Sequence, residues 1–563
     1  MLLSNFNLLA TAPGGVARLR ELILTLAVQG KLVPQNPGDE PASVLLQKIR
    51  VEKDQLIAEG KIRRDKPLAA IADEDKPFEL PLGWEWMRLG ALLPFRIGKT
   101  PPSKDPQYWG SEGHAWVSIS DMEHFGEIRE TQRKITDKGA AVFGYDPLPI
   151  GTLIMSFKLT IGKISVLQLP AFHNEAIISF QPLVGLNTEF LKYSLPTVSK
   201  TGASKNALMG QTLNTESLSN LIIAVPPTGE QARIVIRVEE LMHVCDALEV
   251  KGKLEAAQHI QLVSTLLGTL TGSDTPEALA DNWQHIATHF DLLLDRPEAI
   301  DAFEQTILQL AVRGLLVSQD PIDEPASILL QKIRAEKDRL IAEGKIRRDK
   351  PLAAIADEEK PFELPRGWEW VRCSDYFFEL CTGPFGSVIH QEDYVRGGVP
   401  LINPSHMLEG RIVHDPRVTL NPKDAERLSA YALSAGDIVL ARRGEVGRYA
   451  LVTEREHGWL CGTGSFFARL HATCNREYLG LLFTDNRFRQ HLQGQSVGMT
   501  MTNLNQGILL DALIAVPPLA EQSRIVTGVE ELRRLCADLR QRLSASQTTQ
   551  AHLAETLVES VAG

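Results

Sequence analysis

From Val16 to Val33 the apolar positions fall at 16, 19, 22, 23, 26 and 27, the spacing of one face of a helix. Gly30 and the cluster Pro34-Gln35-Asn36-Pro37-Gly38 stop it. A second helix is predicted over Pro41 to Glu59: it opens at Pro-Ala-Ser, carries Leu45, Leu46, Ile49, Leu56 and Ile57, and closes on Gly60, a residue suited to the left-handed position past a helix end. The stretch KIRRDKPLAAIADEDKPFELP has no period and is punctuated by proline, so it reads as an extended connector. Its Arg63-Arg64 pair could touch phosphate, and a solvated loop face explains the pair as well. Pro81-Leu82-Gly83 then turns the chain into Trp84-Glu85-Trp86, whose alternation sets both indoles on one face of a strand. Core packing explains these rings better than base stacking.

The pattern then returns. Leu45 to Trp86 recurs at Leu329 to Trp370 with four changes in forty-two positions, an offset of 284. At that offset Ile23 to Val33 falls on Ile307 to Val317, and Phe6, Leu8, Leu9 and Pro13 fall on Phe290, Leu292, Leu293 and Pro297. Further on the offset drifts to 285 and then to 291, where LIIAVPPTGEQARIV from Leu221 meets ALIAVPPLAEQSRIV from Ala512. So long a period is no solenoid unit; it is a duplicated module with a domain in each copy. The flanks repeat closely while the blocks between them have diverged. One frame therefore holds two dissimilar inserts.

Within the inserts the common residues are short strands and glycine turns. WVSISDM (Trp116 to Met122) aligns with LINPSHM (Leu401 to Met407) at offset 285, and PIGTLIMSFKLTIGKISVL with SAGDIVLARRGEVGRYALV. The second pair reads as a hairpin in which Lys158 matches Arg443 and Lys163 matches Arg448. Cations at fixed places with variable neighbours are what phosphate contact plus sequence-varying base contact need; an ordinary exposed hairpin would also carry them. After each insert comes Val-Pro-Pro and a long helix. Its apolar positions, Ile234, Val238, Leu241, Cys245 and Leu248 in one copy and Ile525, Val529, Leu532, Cys536, Leu539 and Leu543 in the other, have the 4-3 stagger of a coiled-coil seam. Two such helices packed together would fix the distance between the inserts.

At 563 residues and 44% apolar content the chain can hold several cores. No apolar run reaches the ~18–20 residues of a membrane span. The opening MLLSNFNLLATAPGG lacks a basic start and continues the repeat pattern, so it is not read as a signal peptide, and a cytoplasmic protein is expected. The six cysteines include no C-x-x-C pair, which points to neither disulfides nor a structural metal. The net charge of −11 argues against a nucleic-acid partner until it is divided. Residues 88–222 hold 13 basic against 11 acidic residues and residues 372–513 hold 14 against 15, so the acidity sits on the frame. DNA contact by the inserts then rests on local basic patches.

Bond chemistry finds no set of residues. Gly98-Lys99-Thr100 resembles the tail of a phosphate loop, but the leading glycine would be residue 93, a leucine. Asn403-Pro404-Ser405-His406 lacks the second proline and the aromatic residue of an amino-group methyltransferase motif. Glu74-Asp75-Lys76 and Glu358-Glu359-Lys360 offer carboxylates beside a lysine, but without the upstream Pro-Asp of a nuclease. No local Ser/His/Asp or Cys/His motif is present, and a triad assembled by folding stays open.

The order helix, insert, VPPxxEQxRIV helix, repeated, resembles the specificity subunit of type I restriction–modification enzymes. AVQGKLVPQNPGDEPAS, EGKIRRDKPL, PFELPLGWEW, TGPFGS, GDIVLARRGEVGR and MSFKLTIGK carry the likeness along essentially the whole chain. The departures are small: SQDPIDEPAS stands for PQNPGDEPAS, and GKTPPS for TGPFGS. The resemblance implies an α+β fold, a pseudo-two-fold tandem duplication of two mixed, strand-rich target-recognition domains joined by two long antiparallel coiled-coil helices. The expected divisions are a helical region and connector over 1–83, recognition domains over 84–227 and 368–518, a central helical region with the second connector over 228–367, and a final helix over 519–563. Each domain would read half of a split, asymmetric site on double-stranded DNA. The helices would set the spacing and dock two methyltransferase subunits, with two motor-nuclease subunits beyond them. S-adenosylmethionine, ATP and magnesium would belong to those partners and none to this chain, which would be non-catalytic. The candidates for DNA contact are Lys158, Lys163, Arg443 and Arg448, then Arg442, Lys99 and the polar tips Ser120, Asn403, Ser405 and His406. A tandem protein-binding scaffold without DNA specificity is the rival expectation.

Overall fold

The two helices predicted at the head of each copy form where the apolar stripes fall. A computed structural model describes residues 6–62, 68–158, 160–208, 215–273, 275–348, 352–384, 388–494 and 504–562; Arg63-Arg64 lies outside the described residues. The chain divides into two compact units, Met1–Leu254 with Gln547–Gly563, and Glu255–Ser546. No helix among the described residues is long and apolar enough to cross a membrane.

In the first unit the helix Gly15–Val28 buries Leu19, Leu22, Ile23 and Leu26, and the helix Ala42–Ala58 buries Leu45 and Ile49. Gly30 follows with φ +69°, and a Cβ there would lie 2.9 Å from the Trp84 ring, so only glycine lets the loop close over that indole. The connector is stapled by Arg88, whose guanidinium donates to the carbonyls of Ala69 (2.6 Å), Ala70 (3.1 Å) and Asn220 (2.8 Å). The strand Glu85–Arg88 pairs antiparallel with Ile222–Val225, so the insert begins and ends in one two-stranded ribbon. Between them lie a five-stranded sheet in the order Phe95–Ile97, Ile177–Phe180, Leu153–Ser156, Ile164–Leu167, Gly126–Ile128, and a four-stranded sheet in the order Trp109–Gly110, Arg133–Ile135, His114–Val117, Ala171–His173.

The second unit repeats the plan. Helices Pro297–Val312 and Ala326–Ala342 precede a ribbon of Glu369–Arg372 with Leu513–Val516. Its insert holds two four-stranded sheets, Phe377–Thr382, Ser465–Leu470, Ile438–Ala441, Tyr449–Leu451 and Tyr394–Val395, Thr419–Leu420, Val399–Ile402, Leu460–Cys461. Arg347 and Arg348, the second copies of the arginine pair, are exposed.

Both tryptophan anchors sit in cores, and each meets a buried glutamate from the Glu-Gln-x-Arg motif. Trp84 Nε1 donates to Glu230 Oε2 at 3.0 Å, and Gln35 Nε2 donates to Glu230 Oε1 at 2.7 Å. Trp368 Nε1 and Gln319 Nε2 do the same to Glu521, each at 3.1 Å. Burial pushes both carboxyls above the usual range, against the pull of these donors. Beside them Arg233 pairs with Asp39 at 2.5 Å and Arg524 with Asp323 at 2.7 Å.

The long helices are Thr228–Thr271 and Leu519–Ala562, 44 residues each. Ile234, Val238 and Cys245 are fully buried and Leu241 and Leu248 partly so, in one cluster with Leu19, Ile23 and Ala27 of the frame helix and Ala554 from the tail of the other long helix. In the second unit Ile525, Val529 and Cys536 are fully buried and Leu532, Leu539 and Leu543 partly so, with Ile300, Phe303 and Ile307 and with Val263, Leu267 and Leu270. Each seam is thus covered by its own frame helix together with the far end of the other long helix. At the edge of the first seam Arg20 pairs with Glu249 at 3.1 Å and with Asp246 at 2.7 Å. At the second, Arg540 pairs with Glu304 and with Asp301, at 2.7 and 2.6 Å. Arg20 and Glu304 hold the same place in the repeat, as do Glu249 and Arg540, so the ion pair recurs with its signs exchanged.

At the foot of the strand Ile438–Ala441, Asp437 is buried to 4% exposure with Oδ2 accepting from the Ser434 amide at 2.8 Å. Burial raises its carboxyl to about 6, above the ordinary value of 3.8. The protonated form is therefore favoured by folding: its stabilisation is complete below pH ~4 and is lost as pH rises through 6. Asp437→Asn, which does not titrate, is expected to gain on the wild type by about 2–3 kcal/mol between pH 4 and pH 7.5. Urea midpoints at the two pH values check this, and parallel pH profiles would count against it.

Candidate nucleic-acid interface

In both inserts a strand runs into a short 3-10 turn that carries the predicted polar tips. His114–Val117 leads to Ile119–Asp121, and Val399–Ile402 leads to Pro404–His406. The predicted hairpins are there as well: Leu153–Ser156 pairs antiparallel with Ile164–Leu167, and Ile438–Ala441 with Tyr449–Leu451. Turn and hairpin are tied together by the matched cations. Lys163 Nζ donates to the Ile119 carbonyl at 3.3 Å, and Arg448 donates to the Pro404 carbonyl at 3.4 Å, the same bond in both copies. Lys163 and Arg448 therefore brace the turn. Arg448 is bound on its other side by Glu445.

The turn is closed from within by unlike residues doing one job. In the first domain Asp121 Oδ2 accepts from the Ser118 amide at 2.8 Å and from the Ser118 hydroxyl at 2.6 Å, and Oδ1 accepts from the Gln132 amide at 2.8 Å. In the second, His406 Nδ1 accepts from the Asn403 amide at 3.2 Å. His406 is 6% exposed, and burial lowers its pKa, so the ring stays neutral and acts as an acceptor. The expectation that His406 stands at a polar tip is corrected here: it lies inside the turn. Ser120 and Ser405 are exposed at the tips, and Ser120 Oγ lies 2.7 Å from Ser118 Oγ. Asn403 is half-buried against Gly462, where a Cβ would lie 2.1 Å from its Oδ1, so no larger residue fits.

Lys99 is bound on the protein. Its Nζ donates to the Val142 carbonyl at 2.9 Å, at the end of the helix Asp137–Ala141, where a cation suits the helix dipole. Its own carbonyl accepts from Trp116 Nε1 at 3.0 Å. Arg442 is half-buried, 6.0 Å from the Phe466 ring centre; burial and the neighbouring Arg443 lower its pKa. Lys158 and Arg443, equivalent in the repeat, are exposed. Lys158 stands 5.4 Å from the ring centre of Phe157. These two project from the hairpin loops as cations open to solvent.

Two residues at this face are not singled out by the sequence. Asp121 carries no motif beyond the capping pattern Ser-x-x-Asp at 118–121. Arg133 depends on strand pairing with residues far along the chain, which no spacing discloses.

Residues 81–258 and 365–546 match the family described as the type I restriction modification DNA specificity domain. The chain is 36% identical, over 97% of its length and 93% of the relative's, to the type I restriction enzyme EcoEI specificity subunit of Escherichia coli. It is equally 36% identical to the EcoAI specificity subunit of Escherichia coli, over the same shares of the two chains. The crystal structure of the HsdS subunit from Thermoanaerobacter tengcongensis superposes over 86% of this chain and 98% of that one, with 16% identity and a TM-score of 0.39. Two matched domains over more than half of the chain, and more than a third of residues shared with full-length relatives, show that the chain belongs to the specificity subunits of type I restriction enzymes.

Proposed function

We propose that each DNA specificity domain reads one half of a bipartite, asymmetric site on double-stranded DNA. The observation that carries this is the repeated turn and hairpin: both domains brace the same polar tip with a cation on a carbonyl and hold a second cation, Lys158 or Arg443, open to solvent. A common scaffold with divergent side chains is what two readers of different sequences need. The long helices set the spacing between half-sites and, by the faces left outside their buried seams, dock two methyltransferase subunits, and two restriction subunits complete the assembly in the cytoplasm. The chain itself supplies the address and no bond chemistry. S-adenosylmethionine, ATP and magnesium act on the partner subunits, where the target adenine is turned out of the stack.

The test is to co-express the chain with its methyltransferase subunit and map modified adenine across the host genome. Methylation at a split motif that requires this chain is the expected result; its absence from a stable complex would favour a protein-binding scaffold. Lys158→Ala with Arg443→Ala is expected to weaken binding at every sequence alike and to lower the salt slope by about 1 for each phosphate no longer neutralised. An unaltered slope would remove both residues from the interface.

A further inference from the structure

The first specificity domain carries a cluster whose residues are not repeated at the equivalent positions of the second. The strand Arg133–Ile135 lies between Trp109–Gly110 and His114–Val117. This places the Arg133 guanidinium 3.5 Å from the ring centre of Trp109 and 5.6 Å from that of Trp116. The two indoles meet edge to face with centroids 4.9 Å apart. Both are fixed: Trp116 is buried and bonded to the Lys99 carbonyl, and Trp109 Nε1 donates to the Pro102 carbonyl at 2.9 Å. Arg133 itself is exposed, and among the described residues its guanidinium takes part in no hydrogen bond or ion pair. One flat face is stacked while the N–H donors stay at the edge, so a flexible cation is held with its fork available.

The cluster adjoins the candidate interface. The Gln132 amide is bonded to Asp121, inside the turn that carries Ser120, and Lys163 holds that turn from its other end. In the second domain the equivalent positions are Tyr394, Leu401 and Val418, and the core there is aliphatic, with Leu401, Leu420 and Leu460. Phosphates are the same under both domains and carry no sequence information. An arginine stacked at this place in one domain, where the other has Val418, fits the part of the DNA that differs, the base edges. An exposed guanidinium fork matches O6 and N7 of guanine in the major groove.

We infer that Arg133 is a specificity-determining residue of the first domain, reading a guanine of its half-site; this rests on the reading of the domains as DNA readers given above. The full chain, co-expressed with its methyltransferase subunit, is compared as wild type, Arg133→Ala and Arg133→Lys by mapping methylated adenine genome-wide. Binding of each purified complex to duplexes altered at single positions accompanies the map. For Arg133→Ala one guanine position in one half of the motif is expected to become tolerant. Affinity for the wild-type duplex falls about 10- to 100-fold, while duplexes altered at that position bind wild type and variant alike. Arg133→Lys, which keeps charge and stem but not the fork, should loosen the same position. If the alanine variant does not fold, the lysine variant decides. An unchanged motif overturns the assignment, and so does a weakening shared by all duplexes or by both halves. A wild-type complex without any split motif would instead refute the DNA-reading function itself.

Discussion

Replacing Trp368 by alanine is expected to destabilise the second unit by about 3–5 kcal/mol, the cost of deleting a large buried ring. The ring is 5% exposed, lies under Gly314, where a Cβ would approach it to 2.8 Å, and donates to Glu521. Truncation therefore opens a cavity and also strips a donor from a buried carboxylate. Trp368→Phe separates the two effects: it keeps most of the apolar volume and removes the N–H, for about 1–3 kcal/mol. Urea unfolding followed by hydrogen exchange in the Trp368 core would report both, since a chain of two units need not unfold in one step. A cost below about 1 kcal/mol for the alanine variant would mean that the node does not hold the insert to its frame. Trp84 meets Glu230 in the same way, so Trp84→Ala should cost as much in the first unit.

Val238→Asp should be as damaging for a different reason. Val238 is fully buried in the seam, among the apolar residues of the frame helix. A carboxylate there has no partner, and burying it unpaired costs several kcal/mol, about 3–5 by analogy with broken buried pairs. Two residues away Ile236 is 57% exposed, and Ile236→Asp is expected to change stability by no more than about 0.5 kcal/mol. Circular-dichroism melts of the pair provide the measurement. Equal melts would show that the stripe read from the sequence is not the packed face. If the exposed variant folds normally and fails only to bind its methyltransferase subunit, the docking surface lies on the outer face of this helix.

The frame was legible because it is written twice. Four changes in forty-two positions left no doubt that the helices, connector and tryptophan strand recur, and the 4-3 stagger named the buried side of each long helix. What an apolar stripe does not name is its partner. The seams face their own frame helices and the tail of the other long helix, segments some two hundred residues or more away along the chain. The tips show a second limit. Alignment put Asp121 on His406, two residues without chemical likeness, and only the fold shows both closing the same turn by accepting an amide. Lys163 and Arg448 read as phosphate contacts from charge alone, and the bond each makes to a carbonyl depends on where the hairpin meets the turn. Arg133 needed the sheet register to bring it onto Trp109.

The exchanged ion pair has a consequence for how the chain assembles. Two similar frames within one polypeptide invite confusion, since each long helix meets two frame helices with the same apolar pattern. Crossed association would set Arg20 against Arg540 and Glu304 against Glu249, turning two attractions into two repulsions. Exposed pairs are individually weak, about 0.2–1 kcal/mol, but a wrong match forfeits each attraction and sets like charges together in its place. The order of two charges thus favours matching each half with itself, and pairing the frame helix of one half with the first part of the other half's long helix is disfavoured without any change to the apolar pattern that both halves share.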